Sequence, residues 1–160
     1  MKTLILLVMG HFFQLTLPES TNTFFFNDLT AFQGTWKQVS GINPDLAKNQ
    51  LSFTTGNNGG LKGSFRIVEP KKTILYDIEI IESPEGLILK ALRDKQMTEW
   101  KGEIKGGALV FTRLFDESGD KYYMRQTLLI DKEGALIRRM EKSYDGNNYQ
   151  GIEEKYVSIN

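Results

Sequence analysis

Charged side chains on the last predicted strands are the residues best placed to do chemistry. Turn lengths predict that Gln126, Arg139 and Glu154 lie side by side on the inward face of three neighbouring strands. Glu141 follows two residues after Arg139, and Arg113 lies on a nearby strand. Inward charges destabilise a fold unless they are paired. The set therefore predicts either a self-satisfied ion network or a polar anchor for the headgroup of a ligand.

A third interpretation is catalytic, with Glu141 and Glu154 as the acid and base of a hydrolase. The residues that most other enzyme classes need for catalysis are missing from this chain. The chain has no Cys, and its one His is His11, in the N-terminal apolar segment. The sequence shows no glycine-rich phosphate loop and no nucleophile elbow. We therefore predict no catalytic residues, no metal site and no cofactor, and keep the hydrolase only as the weakest alternative.

The elements that position these residues are β-strands. Segments of alternating apolar and polar residues are separated by turns rich in Gly, Asp and Asn. A helical turn is predicted from Asn27-Asp28 to Phe32, and another over 43–47. Short connectors predict that consecutive strands pair as an antiparallel meander. We predict strands near 34–40, 61–69, 72–82, 87–93, 96–105, 108–115, 120–130, 135–144 and 149–157, with a short one at 51–55.

The hairpin registers predict the pairs Leu89–Trp100, Gly102–Phe111 and Arg113–Tyr122. These registers separate apolar from charged residues. The inward face collects the large apolar side chains, and the outward face collects most charges, Arg138 and Lys142 among them. No long amphipathic helix is available to cover the apolar face. The meander should therefore close into an all-β, up-and-down antiparallel barrel of about eight to ten strands. Four inward aromatic side chains would line a cavity or fill the core: Tyr76, Trp100, Phe111 and Tyr156.

The N-terminal segment predicts export. Lys2 precedes an interrupted apolar run that ends near Leu17, which is typical of a signal peptide and short for a stable membrane span. We expect residues 1–23 to be signal peptide and spacer, and 24–160 to be the barrel domain. The absence of Cys favours a bacterial secreted or periplasmic protein. The charges balance, with 20 basic and 20 acidic residues, so no nucleic-acid partner is expected.

Gly34-Thr35-Trp36 after a short helical turn, together with the meander through Val157, resembles the lipocalins and fatty-acid-binding proteins. The late hairpin segment 141–146 has a Glu-x-Ser-x-Asp-Gly pattern, which is similar to exported bacterial lipocalin-like proteins that are uncharacterised. The resemblance implies that Trp36 closes one end of the barrel as a structural plug. Fatty-acid-binding proteins carry Arg-x-Tyr on the last strand to hold a carboxylate. This chain has Glu154-Lys155-Tyr156 there, and its last strand also lacks the Arg that packs over the lipocalin Trp.

Two functions remain open beside the weak enzymatic one. The first is a carrier that binds a small apolar or amphipathic molecule inside the barrel. The second is a filled structural barrel that acts through surface loops in protein–protein interaction, with the polar segment 54–60 as a contact loop. The presence of a cavity separates these two functions. The oligomeric state is not predicted.

Overall fold

Ten antiparallel strands close into an up-and-down barrel. The computed structural model describes residues 26–41 and 48–159, except for the side chains of residues 26–28 and 58. The expected signal peptide and the predicted turn over 43–47 lie outside the described residues. The strands are β1 Gly34–Ser40, β2 Gln50–Thr55, β3 Leu61–Val68, β4 Thr73–Ser83, β5 Gly86–Arg93, β6 Gln96–Lys105, β7 Ala108–Glu117, β8 Asp120–Ile130, β9 Leu136–Ser143 and β10 Gln150–Ser158.

Each strand pairs with the next along the chain, and β1 pairs with both β2 and β10. The predicted all-β meander is therefore confirmed, and closure leaves no free sheet edge. The predicted N-terminal turn is also confirmed, as a 3-10 helix over Phe26–Phe32. This helix precedes β1 and contacts β8.

Two-residue turns set the register of three hairpins. Both turn residues have positive φ at 94–95, 106–107 and 118–119, the backbone that matches the twist of the flanking strands. Glycine adopts this backbone without strain at Gly106 and Gly107, whereas Asp94 and Lys95 adopt it with φ of 48° and 68°. The predicted pairs Leu89–Trp100 and Gly102–Phe111 are observed.

The turn between β7 and β8 is shorter than the predicted loop over 116–119. Strands β7 and β8 extend into it, so Arg113 pairs with Met124 and Phe115 pairs with Tyr122. The expected partner of Arg113 was Tyr122. This shift is an even number of residues, so every side chain on β8 keeps its predicted face.

The predicted face of β9 is wrong. The loop before β9 includes Ala135, whose carbonyl accepts a 2.8 Å hydrogen bond from the Asp131 amide. Leu128 consequently pairs with Arg138, and Thr127 pairs with Arg139. One extra loop residue reverses every side chain of β9, because side chains alternate along a strand. Leu136, Arg138, Met140 and Lys142 therefore share the interior side, and Ile137, Arg139 and Glu141 share the outer side.

The pairing of β9 with β10 is also displaced by one residue from the predicted register. Arg138 therefore pairs with Glu154, and Leu136 pairs with Tyr156. The second displacement cancels the first, so β10 keeps its predicted faces.

The hydrophobic core includes the end of the barrel that lies beside the 3-10 helix. Leu29 and Phe32 of the 3-10 helix and Trp36 of β1 are all buried in one apolar cluster with the inward strand residues. The indole nitrogen of Trp36 donates a 3.0 Å hydrogen bond to the carbonyl of Phe32. This bond ties the helix to the barrel wall, which fits the predicted plug.

Candidate functional site

A cavity of about 170 Å³ lies within the barrel. Its wall is mostly apolar and aromatic, and its polar side chains include Tyr76, Gln126 and Arg138. An apolar cavity of about 150 Å³ is large enough to admit benzene. The space therefore suits a compact ligand about the size of one ring. The other wall residues are Leu51, Phe53, Phe65, Ile67, Ile78, Leu89, Ala91, Thr98, Trp100, Leu128 and Met140.

One side of this cavity carries a cluster of hydrogen-bonded groups, called here the inner polar cluster: Gln126, Arg138, Glu154 and Tyr156. Arg138 Nη1 donates to Glu154 Oε2 at 2.7 Å, and Arg138 Nη2 donates to Gln126 Oε1 at 3.3 Å. The Tyr156 hydroxyl donates to the same Glu154 oxygen at 2.9 Å. Burial raises the pKa of Tyr156, so the phenol stays protonated as a donor.

The cluster is electrically balanced. The side chains of Arg138 and Glu154 are 11% and 12% exposed, and each is the ion-pair partner of the other. The Arg138 guanidinium also stacks on the Phe65 ring, 4.4 Å from its centroid. A ligand group placed here meets hydrogen-bond donors without meeting a net charge.

Six of the nine predicted cavity residues fall into three groups in the structure. Tyr76, Trp100 and Gln126 line the cavity. Glu154 joins the inner polar cluster behind Arg138. Phe111 and Tyr156 are fully buried core residues, each with 0% exposed surface. Whether any of them binds a ligand stays a prediction.

Arg139 and Glu141 do not face the cavity, contrary to the prediction. Arg139 pairs outside the barrel with Glu153, Nε to Oε2 at 2.7 Å, and both side chains are about half exposed. Glu141 accepts two hydrogen bonds from Arg125 at 2.9 and 3.0 Å. Glu141 and Glu154 therefore lie on opposite faces of the sheet and cannot act on one substrate as an acid/base pair.

Arg113 does not line the cavity, and it lies on β7 toward the end of the barrel away from the 3-10 helix. A series of ring contacts, called here the ring ladder, runs from the cavity wall to the surface through Trp100, Phe115, Tyr122 and Tyr144. The centroid separations are 5.8, 5.3 and 6.4 Å in that order. Arg113 lies over Phe115, with its Cζ 4.8 Å from the ring centroid.

Sequence reasoning missed Arg138 and Met140 because it assigned β9 to the wrong face. It also missed a buried amide pair near the end of β1. Asn49 Nδ2 donates to Gln38 Oε1 at 2.9 Å, and Asn49 Oδ1 accepts from the Val68 amide at 2.7 Å. This pair joins β1 and the approach to β2 to the end of β3. Polar residues at strand ends gave no signal that they would be buried.

The predicted contact loop over 54–60 is smaller than expected. Thr54 and Thr55 belong to β2, and a short 3-10 turn over Asn57–Gly59 fills most of the connection. The Gly56 amide donates to the Gly60 carbonyl at 2.8 Å, which closes the turn on itself. Among the described residues, no group of three or more acidic or His side chains could hold a metal ion. No helix in the described ranges is long and apolar enough to cross a membrane.

Comparison of the sequence with protein-family models and with curated proteins gives no match.

Proposed function

We propose that this protein binds a compact, largely apolar molecule inside its barrel. The observation that carries the proposal is the cavity of about 170 Å³, which a barrel packed solid with side chains would not have. Pockets for drug-sized ligands measure about 300–1,000 Å³, so the ligand is smaller than these.

The polar part of the cavity wall defines one further property of the ligand. The Gln126 oxygen accepts from Arg138, so its amide nitrogen is turned away from that bond. Among the hydrogen bonds of the described residues, this nitrogen takes part in none. A carbonyl or hydroxyl oxygen on the ligand would accept from it. We therefore expect the end of the ligand that enters the cavity to be apolar, or to carry one uncharged oxygen.

Binding is best tested with 2-phenylethanol, a single-ring alcohol of suitable size. We expect a dissociation constant of about 0.1–1 mM, measured by calorimetry or by the fluorescence of Trp100 in the cavity wall. Ala91→Leu adds volume at the cavity wall and should abolish binding. Ala108→Leu makes the same change on the outer side of β7 and should leave binding intact.

The proposal fails if no single-ring probe binds, or if Ala91→Leu and Ala108→Leu bind 2-phenylethanol equally. Native mass spectrometry of protein purified from its own source would show whether a small molecule accompanies it.

Export of the protein is a further part of the proposal. Its support is Lys2 followed by the apolar run to Leu17, together with the absence of Cys. A lipocalin-like carrier outside the cytoplasm is the role that agrees with these features and with the cavity. N-terminal sequencing of the secreted fraction should find a first residue between Thr21 and Phe26. Soluble cytoplasmic protein that retains Met1 would contradict export.

A filled barrel acting through its surface is the second candidate function. Several large apolar side chains on the outer side are about half exposed, including Leu75, Met97 and Leu114. Such residues also occur singly on ordinary protein surfaces. The internal cavity favours the carrier.

A further inference from the structure

Two cations, Arg113 of β7 and Lys142 of β9, lie toward the end of the barrel away from the 3-10 helix. Arg113 and Lys142 flank Met124, because Met124 pairs with Arg113 on one side and with Lys142 on the other. All three side chains have the inward orientation. Because β8 separates β7 from β9, the Cα atoms of Arg113 and Lys142 are about 10 Å apart. Within the described part of the chain, neither cation forms a salt bridge.

Both cations lie on the ring ladder. Lys142 Nζ is 3.9 Å from the Tyr122 ring centroid and 4.6 Å from that of Tyr144. Arg113 lies over Phe115, which contacts Trp100 in the cavity wall. A ring holds a cation through its face without neutralising the charge. The positive charge therefore remains available to an anion beside the ring ladder, which begins at Trp100 in the cavity wall.

The inner polar cluster shows the opposite arrangement. Arg138 is already neutralised by Glu154, which also accepts from Tyr156. A carboxylate placed beside them would bring an unmatched negative charge into a dry site, which is unfavourable. The barrel thus has a neutral site at the inner polar cluster and a cationic site at Arg113 and Lys142.

We propose that Arg113 and Lys142 bind the anionic group of the ligand, so the ligand is a compact organic anion held with its apolar body inward. This inference rests on the proposed binding function and adds the charge and the orientation of the ligand. The nearby Tyr144 hydroxyl raises the pKa of Lys142, so the ammonium is fully charged at neutral pH.

Acidic residues at the tip of the β7–β8 hairpin limit the strength of the site. Asp120 exerts a longer-range attraction on Lys142, and Glu117 lies beside the Tyr122 hydroxyl. Asp120→Asn removes one of these negative charges. It should therefore strengthen binding of an organic anion.

Three single-ring probes of similar size separate the possibilities: phenylacetate, 2-phenylethanol and 2-phenylethylammonium. The full chain should bind phenylacetate about tenfold more tightly than the alcohol at low ionic strength, and the ammonium most weakly. The preference for phenylacetate should shrink as salt is added, because partly exposed charges are screened. Binding of the alcohol should not change with salt.

Paired variants test which residues cause the preference for phenylacetate over the alcohol. Arg113→Gln/Lys142→Gln should bind phenylacetate and the alcohol equally. Arg113→Lys/Lys142→Arg keeps both charges and should keep the preference, which also covers the case in which the Gln variant folds poorly. Lys101→Gln/Arg139→Gln changes the net charge by the same amount as Arg113→Gln/Lys142→Gln. It does so on the outer side of the barrel, where both residues are ion-paired. This control should behave like the unmodified protein.

The inference is overturned if phenylacetate binds no more tightly than 2-phenylethanol, or if the control variant loses the preference as fully as the Arg113/Lys142 variant. If the alcohol binds and phenylacetate binds no more tightly, only the anion site at Arg113 and Lys142 is overturned. Failure of all three probes to bind would overturn the proposed function as well.

Discussion

Arg138 and Glu154 form an ion pair across β9 and β10 on the interior side of the barrel, with 2.7 Å between Nη1 and Oε2. At the next position of this antiparallel strand pair, Arg139 and Glu153 form a pair of the same types on the outer side, also at 2.7 Å. The first pair is about one-tenth exposed and the second is about half exposed. The two pairs share chemistry and neighbouring positions, and they differ in burial.

This relationship predicts different costs for the same substitution. Arg138→Met leaves Glu154 buried without its partner, and we expect a loss of about 3–5 kcal/mol in the free energy of unfolding. Arg139→Met removes an exposed pair and should cost at most about 1 kcal/mol. Urea denaturation of both variants measures the difference.

A double variant tests whether the inner pair is needed for stability. Arg138→Met/Glu154→Leu removes both charges and should recover much of the loss, because no unpaired charge remains. A double-mutant cycle with no coupling between the two positions would contradict the assigned pair.

Trp36 should contribute strongly to stability as the plug near the 3-10 helix. The side chain is 5% exposed, and Trp36→Ala should cost about 3–5 kcal/mol, the range for deleting a large buried aromatic side chain. Trp36→Phe keeps most of the packing and loses the hydrogen bond to Phe32, so the free energy of unfolding should fall much less. An unchanged urea midpoint for Trp36→Ala would show that Trp36 is not a structural plug.

Lys95→Gly should stabilise the protein. Lys95 has φ of 68° in the turn between β5 and β6, a backbone region that costs a side chain about 1 kcal/mol and costs glycine little. We expect a gain of about 0.5–1 kcal/mol, measured as a higher thermal midpoint. Lys121→Gly is the control, because Lys121 is within β8 and glycine weakens a strand. A lower midpoint for Lys95→Gly would contradict the assigned turn.

Asp145 should make stability depend on pH. Its carboxylate accepts hydrogen bonds from the amides of Asn148 and Asn147 and from the Ser143 hydroxyl, and these hold its pKa well below the ordinary 3.8. A carboxyl whose pKa is lowered on folding stabilises the fold above its unfolded pKa. That stabilisation is lost as the pH falls toward the folded pKa.

We therefore expect Asp145→Asn to lower the urea midpoint at about pH 7 and to lower it less at about pH 3. Asp116→Asn removes only an exposed ion pair with Lys121 and should have a small effect at both pH values. A difference between the unmodified protein and Asp145→Asn that grows at low pH would contradict the assigned hydrogen bonds.

Local sequence was sufficient to predict the strands and most of their faces. From β3 to β8 the apolar and polar residues alternate clearly, and each turn has residues suited to a short hairpin. Trp36 was predicted as a buried plug from Gly34-Thr35-Trp36 and the helical turn before it, and the structure buries it beside Phe32.

Only the tertiary structure decided the face of β9, and with it the members of the inner polar cluster. Leu136 and Ile137 are both apolar, and Arg138 and Arg139 are identical, so alternation fits either face equally well. The choice depends on whether Ala135 belongs to the loop, and hydrogen bonds between Asp131 and Ala135 place it there. The cavity was likewise undecided by sequence, because the same aromatic residues can fill a barrel or line a space. Cavity volume depends on how side chains from ten strands pack together in three dimensions, which no local pattern records.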